Sequence, residues 1–343
     1  MKQVILLVMM ILTLTVPASA LDLTAPTVPQ VEPGGPQSFT EDLLEILRDG
    51  VERFRPDLKE AAGACVTILA VGMALSMLSA MPGRPRGAVE LAGTVLAAAV
   101  LLGPARSLIG LGVETVTELS EYEKLLLPVL TAALAAQGGV NASAALYAGT
   151  AAFNAILSGL VTGVLIPAVW VYLALAVGYG ATGDGMLKKI RDLVRSAAVW
   201  GLKTILYVYT GYISITGVVS GATDASLLKA AKLTISGAVP VVGGILSDAS
   251  EAVLASAAAV KNAAGIYGLL AITAMWLGPF LRIGVHYLML KAAGAVSGVF
   301  GVGSLSGVVE DFAGAMGLLL AMTGAVCLML IISTICFLKG AVG

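Results

Sequence analysis

The sequence predicts an all-α, polytopic integral membrane protein with about seven transmembrane helices, plus short amphipathic and re-entrant segments. Of its 343 residues, 58% are hydrophobic and 12% are charged, and the mean hydropathy is +0.96. Soluble domains hold about 45–50% apolar and about 25% charged residues. The apolar residues also fall in long runs, and a bilayer core of ~30 Å is crossed by about 20 such residues in a helix.

Charge and motifs exclude several functional classes. The net charge of −1 argues against a nucleic-acid partner, because phosphate binding needs a surplus of Lys and Arg. The sequence has no P-loop, nucleophile elbow, HExxH motif or paired Cys/His ligands. We therefore expect no enzyme activity, cofactor or metal. The single histidine, His286, lies beside Arg282 and is expected at the membrane interface rather than in catalysis.

The N-terminal region divides into two parts. Residues 1–20 have a lysine, an apolar core and a final Ala-Ser-Ala, which predicts a cleavable signal peptide. An uncleaved first span is the alternative. Residues 21–60 are predicted to be an extracytoplasmic tether rich in Pro and Gly, followed by an amphipathic helix over 39–55 that Pro56 ends.

Residues 61–338 are predicted to form the multi-span membrane domain. The acidic segment 114–123 is expected outside the membrane, and the uncharged segment 125–183 holds two spans or, as we prefer, three. Its candidate breaks are Pro128, Gly138, Gly139, Gly163 and Pro167. Segment 291–307 is consistent with a short span, a re-entrant loop or a surface helix. The expected spans are 61–81, 88–111, those within 125–183, 199–219, 265–285 and 312–338.

The strongest basic cluster follows the uncharged segment and consists of Lys188, Lys189, Arg191 and Arg195. The positive-inside bias places it in the cytoplasm. It is interpreted first as a topology signal on anionic lipid headgroups, and alternatively as a docking site for a cytoplasmic partner.

Small residues recur at helical spacing in two later segments. Gly217 and Gly221 form one pair, and Gly317, Ala321 and Ala325 form a stripe along the last apolar run. Such spacing favours close helix packing in membranes.

The stretch 232–262 predicts a broken-helix element. Its apolar start is interrupted by proline and glycine, and an Ala/Val-rich helix with two acids follows. Asp248 and Glu251 share one helical face. Either they cap the helix or they face a pore or substrate path. The residues that define the element are Lys232, Pro240, Gly243, Gly244, Asp248, Glu251 and Lys261.

This stretch also carries a family resemblance. Asp224, Lys229 and Lys232, followed by AVPVVGGILSDASEAVLASAAAVKNAAGIYGLL at residues 238–270, resemble the stage III sporulation protein AE family. The resemblance implies a membrane core subunit of the transenvelope channel complex that joins mother cell and forespore during endospore formation. Its implied location is the outer forespore membrane.

The resemblance further implies partners and a role. The partners are the lipid bilayer, a cytoplasmic ATPase and ring-forming membrane proteins, and a homo-oligomer is compatible with this arrangement. The role is a non-catalytic export platform or channel that resembles secretion systems in parts. A stand-alone secondary transporter for a small solute is the alternative, although the sequence offers one broken-helix element rather than the matched pair that transporter repeats usually contain. A scaffold without a pore is a third possibility.

Overall fold

Long α-helices make up almost all of the described chain. The computed structural model describes the backbone of residues 38–80, 86–238, 243–301 and 303–339, and side chains mainly in 58–80, 87–215, 260–299 and 303–339. Within these ranges there is no strand, which confirms the all-α prediction for this part of the chain. The helices are α1 (Ser38–Ser79), α2 (Arg86–Ala136), α3 (Val140–Leu160), α4 (Ile166–Thr182), α5 (Gly185–Ala238), α6 (Gly243–Ser297) and α7 (Gly303–Lys339).

Five stretches of the described residues are long and apolar enough to cross a bilayer. They are Leu58–Ser79, Gly87–Ala136, Val140–Thr182, Val260–Ser297 and Gly303–Lys339. These stretches support a multi-span membrane protein. The count of about seven and the re-entrant segments stay predictions. The expected span 199–219 is one reason, because the side chains of its last residues, 216–219, lie outside the described ones. The signal peptide and the tether up to residue 37 also lie outside them.

Helix α2 is much longer than a bilayer is thick. It has 51 residues, which at 1.5 Å per residue makes about 75 Å, against a hydrocarbon core of ~30 Å. Residues 114–123 continue the same helix, and their expected place outside the membrane stays a prediction. Glutamate is a good helix former, and α3, α6 and α7 all pack along α2.

Two prolines do not end helices where the sequence predicted a boundary. Helix α1 runs on past Pro56 into the first candidate span, and α2 continues through Pro128. An internal proline removes one backbone hydrogen bond. Most helical stability in proteins comes from packing of an apolar face, and at Pro128 the buried Leu127 and Leu130 provide such packing on both sides.

Glycine marks the real break in the uncharged segment 125–183. Gly138 has φ +91, a conformation that glycine adopts without steric cost, and it separates α2 from α3. From there α3 passes through a π-helical turn, Val161–Leu165, directly into α4. The segment therefore holds the end of α2 and one continuous helical stretch from α3 to α4, and its number of membrane crossings stays a prediction. Gly163 lies in the π turn and Pro167 in the first turn of α4.

Helix α7 forms the centre of the bundle. It packs against α2, α3, α4, α5 and α6, and it is the most apolar of the candidate spans. A helix that is apolar on all sides is typical of a protein core or a membrane span. In α7 fully buried side chains follow one another along the whole length, among them Phe312, Met316, Leu319, Val326 and Phe337.

Candidate functional site

Several helix ends meet at the end of the bundle where α7 begins. The Ser304 hydroxyl donates to the Glu90 carbonyl at 3.0 Å, and the Ser306 hydroxyl donates to the Gly294 carbonyl at 2.8 Å. These bonds tie the start of α7 to the start of α2 and to the end of α6. The predicted basic cluster lies at this same end, in the first turns of α5.

The four basic residues of the predicted cluster have two different environments. Lys188, Lys189 and Arg195 are exposed, as expected for side chains that meet lipid headgroups or a partner. The Arg191 side chain is only 11% exposed and forms an ion pair with Asp311 of α7. The cluster thus contains an internal structural contact that the sequence did not indicate.

Three residues form what we call the latch: Tyr172 of α4, Arg191 of α5 and Asp311 of α7. The guanidinium group donates to Oδ2 of Asp311, and the Tyr172 hydroxyl donates to Oδ1 at 3.1 Å. Arg191 also donates to Oδ1 of Asp192, at 2.8 Å from Nη2. Its guanidinium carbon lies 5.3 Å from the centre of the Tyr179 ring, within the range of a cation–π contact.

Arg191 keeps its positive charge. Burial acts to lower the pKa of Arg191, but the hydrogen bond to Asp192 and the charges of Asp311 and Asp192 together raise it above its ordinary value. Sequence reasoning missed Asp311 because it lies one residue before the uncharged run 312–338. The signal was its position as an acidic residue directly at the edge of a predicted span.

A second polar site lies between α2 and α3, inside an apolar part of the bundle. A cavity of about 400 Å³ opens there. Glu123 of α2 is 2% exposed, and one of its carboxylate oxygens, Oε1, has no hydrogen-bond partner among the described residues. The cavity is lined by Ser120, Glu123, Lys124, Leu127, Tyr147, Ala151, Asn154, Ala155 and Ser158. We call it the Glu123 cavity.

Hydroxyl groups extend this polar site toward α5 and α7. Ser120 lies 3.5 Å from the side-chain oxygen of Asn154. One turn before Asn154, the Thr150 hydroxyl lies 3.5 Å from the Tyr209 hydroxyl of α5 and accepts a hydrogen bond from Ser333 of α7 at 3.4 Å. These bonds are long and individually weak. Together they place polar groups from four helices in one layer of the core.

The backbone of the predicted broken-helix element is described except at residues 239–242, whereas its side chains are described only from residue 260. Helix α5 ends at Ala238 and α6 begins at Gly243, so Gly243 and Gly244 start a helix. Lys261 is 3% exposed and therefore buried. Pro240 lies outside the described backbone, and the side chains of Lys232, Asp248 and Glu251 lie outside the described side chains. The role of the element stays a prediction.

The small-residue positions are partly described. Gly317 faces Tyr287 of α6 so closely that an added Cβ would lie 3.3 Å from its ring. Ala325 is buried, whereas Ala321 is exposed. The surroundings of Gly217 and Gly221 are not among those that the structure describes.

His286 is buried inside the bundle, and its expected place at the membrane interface stays a prediction. It is 3% exposed, and its Nδ1 lies 2.9 Å from the Arg282 carbonyl, one turn earlier. Neighbours from α1, α2 and α7 cover it, including Ala61, Leu108 and Phe312. Burial among apolar groups and a local hydrogen bond make it part of the core.

Comparison with a family profile and comparison with curated proteins lead to the same family. The profile of the family described as Stage III sporulation protein AE matches residues 46–340. Stage III sporulation protein AE of Bacillus subtilis (strain 168) is 26% identical over 184 residues, which are 53% of this chain. The chain spans about half the length of this curated relative, 46%. No solved structure matches the chain.

Proposed function

Because the chain belongs to the stage III sporulation protein AE family, we propose that it is a membrane core subunit of the transenvelope channel complex between mother cell and forespore. Its proposed role is a non-catalytic export platform or channel. The observation that carries the proposal is the extent of the family match. It runs from within α1 to the end of α7 and includes all five candidate spans.

The proposed partners follow from this assignment. The subunit would lie in the outer forespore membrane and work beside a cytoplasmic ATPase and ring-forming membrane proteins. Lys188, Lys189 and Arg195 are exposed at one end of the bundle and offer a basic surface to such a cytoplasmic partner. Arg191 does not, since the latch holds it inside. Self-association would add copies of the same bundle around a shared path.

One observation favours the alternative of a stand-alone permease. The Glu123 cavity places an ionisable side chain inside a candidate span, and such residues often mark solute or ion pathways. A permease would need no ATPase or ring-forming partner. The two proposals therefore differ in what co-purifies with the chain.

The proposal can be tested in the native sporulating host. A functional tagged copy should be enriched in the membrane around the forespore during engulfment. After cross-linking it should co-purify with the ATPase and the ring-forming proteins. Uniform placement in the cell membrane together with purification of the chain alone would contradict the complex and support the permease.

A cysteine-accessibility scan tests the path itself. After replacement of the three native cysteines, single cysteines across residues 226–265 would be exposed to a charged thiol reagent in intact membranes. A pore-lining element predicts labelling at Asp248 and Glu251 and protection at residues on the opposite helical face. Protection at every position would remove this element from the path.

A further inference from the structure

We propose that the Glu123 cavity binds an alkali cation, Na⁺ or K⁺, whose charge is balanced by the Glu123 carboxylate. The first argument concerns charge. Glu123 is 2% exposed, and no cationic side chain among the described residues lies within ion-pair distance of it. An isolated buried carboxylate costs several kcal/mol, so the site favours neutralisation of Glu123, either by a proton or by the positive counter-charge proposed here.

The second argument concerns the ligand set. The polar groups that Glu123, Ser120, Tyr147, Asn154 and Ser158 bring to the wall all contain oxygen. Oxygen donors suit hard cations, while softer transition metals favour sulfur or imidazole. Only one carboxylate is present, so the site neutralises one positive charge. A monovalent ion matches that balance better than Ca²⁺, whose sites usually contain several carboxylates.

Lys124 is the nearest alternative source of positive charge. It follows Glu123 in the chain and lines the same cavity, but its side chain is exposed and forms no ion pair with Glu123. With about 400 Å³ of space, the cavity has room for an ion and several waters, since a water occupies about 30 Å³ in the liquid. The cation would therefore sit between Glu123 and the α3 oxygens.

Binding would strengthen the link between α2 and α3. Asn154 is one turn from Thr150 on α3, and Thr150 bonds to Tyr209 of α5 and Ser333 of α7. A cation held by Glu123 and Asn154 would add a second contact between α2 and this layer, beside that of Ser120. The ion should consequently stabilise the folded chain, whether or not the chain works as a channel subunit.

The test uses the purified full-length chain in detergent, at constant ionic strength, in NaCl, KCl or N-methyl-D-glucamine chloride. One alkali ion should raise the thermal midpoint, by an amount that grows with the logarithm of the ion concentration once it exceeds Kd. At 100 times its Kd the ion multiplies the ratio of folded to unfolded chain by about 100. Glu123→Gln, which keeps the shape, should abolish the effect. Glu121→Gln is the matched control, because Glu121 is on α2 outside the cavity wall, and it should keep the effect.

Two outcomes would overturn the proposal. One is an equal midpoint for the native chain in all three salts, which would mean that Glu123 is kept neutral by a proton. The other is an ion effect that survives in Glu123→Gln. If that variant does not fold, Asn154→Ala replaces it, and there we expect at least a tenfold weaker apparent affinity. An unchanged affinity in Asn154→Ala would exclude the site between α2 and α3.

Discussion

Removing Asp311 should weaken the bundle more than removing any exposed charge. In Asp311→Ala the Arg191 guanidinium loses its partner on α7, and the Tyr172 hydroxyl loses its acceptor. Three helices meet at these groups. The loss therefore affects the packing of α4 and α5 against the central helix.

The expected magnitude follows from the burial of the pair. The side chains of Arg191 and Asp311 are 11% and 12% exposed, and breaking a buried ion pair from one side typically costs 3–5 kcal/mol. Arg191 keeps its hydrogen bonds to Asp192, which reduces the loss. We expect about 2–4 kcal/mol for Asp311→Ala, and about 1–2 kcal/mol for Asp311→Asn, whose amide oxygen still accepts from Tyr172.

The assay is reversible unfolding of the purified chain in mixed detergent micelles, followed by far-ultraviolet circular dichroism. Asp192→Ala is the matched control, because the Asp192 side chain is 54% exposed and an exposed ion pair contributes about 0–1 kcal/mol. A double-mutant cycle of Asp311→Ala with Arg191→Ala should give a coupling energy of at least about 1 kcal/mol. Equal losses in Asp311→Ala and Asp192→Ala would refute the latch.

Two further substitutions test the layer around α3. Gly149→Ala should destabilise the chain by about 1–3 kcal/mol, because the new Cβ would overlap the Tyr212 ring. Gly159→Ala on the same helix is the control: its new Cβ meets no atom within 4 Å, so it should be neutral or stabilising in the same unfolding assay. Tyr209→Phe should cost about 0.5–1.5 kcal/mol through the lost hydroxyl contacts, measured against Tyr207→Phe, whose parent side chain is 74% exposed; equal stability of these two variants would argue against the hydroxyl layer.

Composition and hydropathy were enough to predict the class of fold. An all-helical membrane bundle follows from apolar runs whose length matches the bilayer, and the last run predicted α7. The run's lack of charge also explains its central place. The sequence did not reveal that α2 would continue through four glutamates, because helix propensity and hydropathy give opposite indications for such a segment.

The polar sites could be predicted only in part. Arg191 was recognised as one of a basic cluster, but its burial depends on Asp311, which is 120 residues away in the chain. Glu123 belongs to an acidic segment that reads as exposed, and only the packing of α3 against α2 buries it. Contacts between distant helices decide both cases. Local patterns give the residue types but not their partners.

The π-helical turn between α3 and α4 also sets the angular relation of the two polar sites. One residue of an α-helix turns the chain by about 100°, and a π turn of this kind holds one extra residue. Before the turn in the chain, α3 carries Asn154 and Thr150, whose side chains belong to the polar layer. After the turn, α4 carries Tyr172, which bonds to Asp311. Deleting a residue such as Gly163, which lies within Val161–Leu165, would leave both helices intact and rotate one site relative to the other. The relative orientation of the two polar sites about the helix axis thus depends on a single residue.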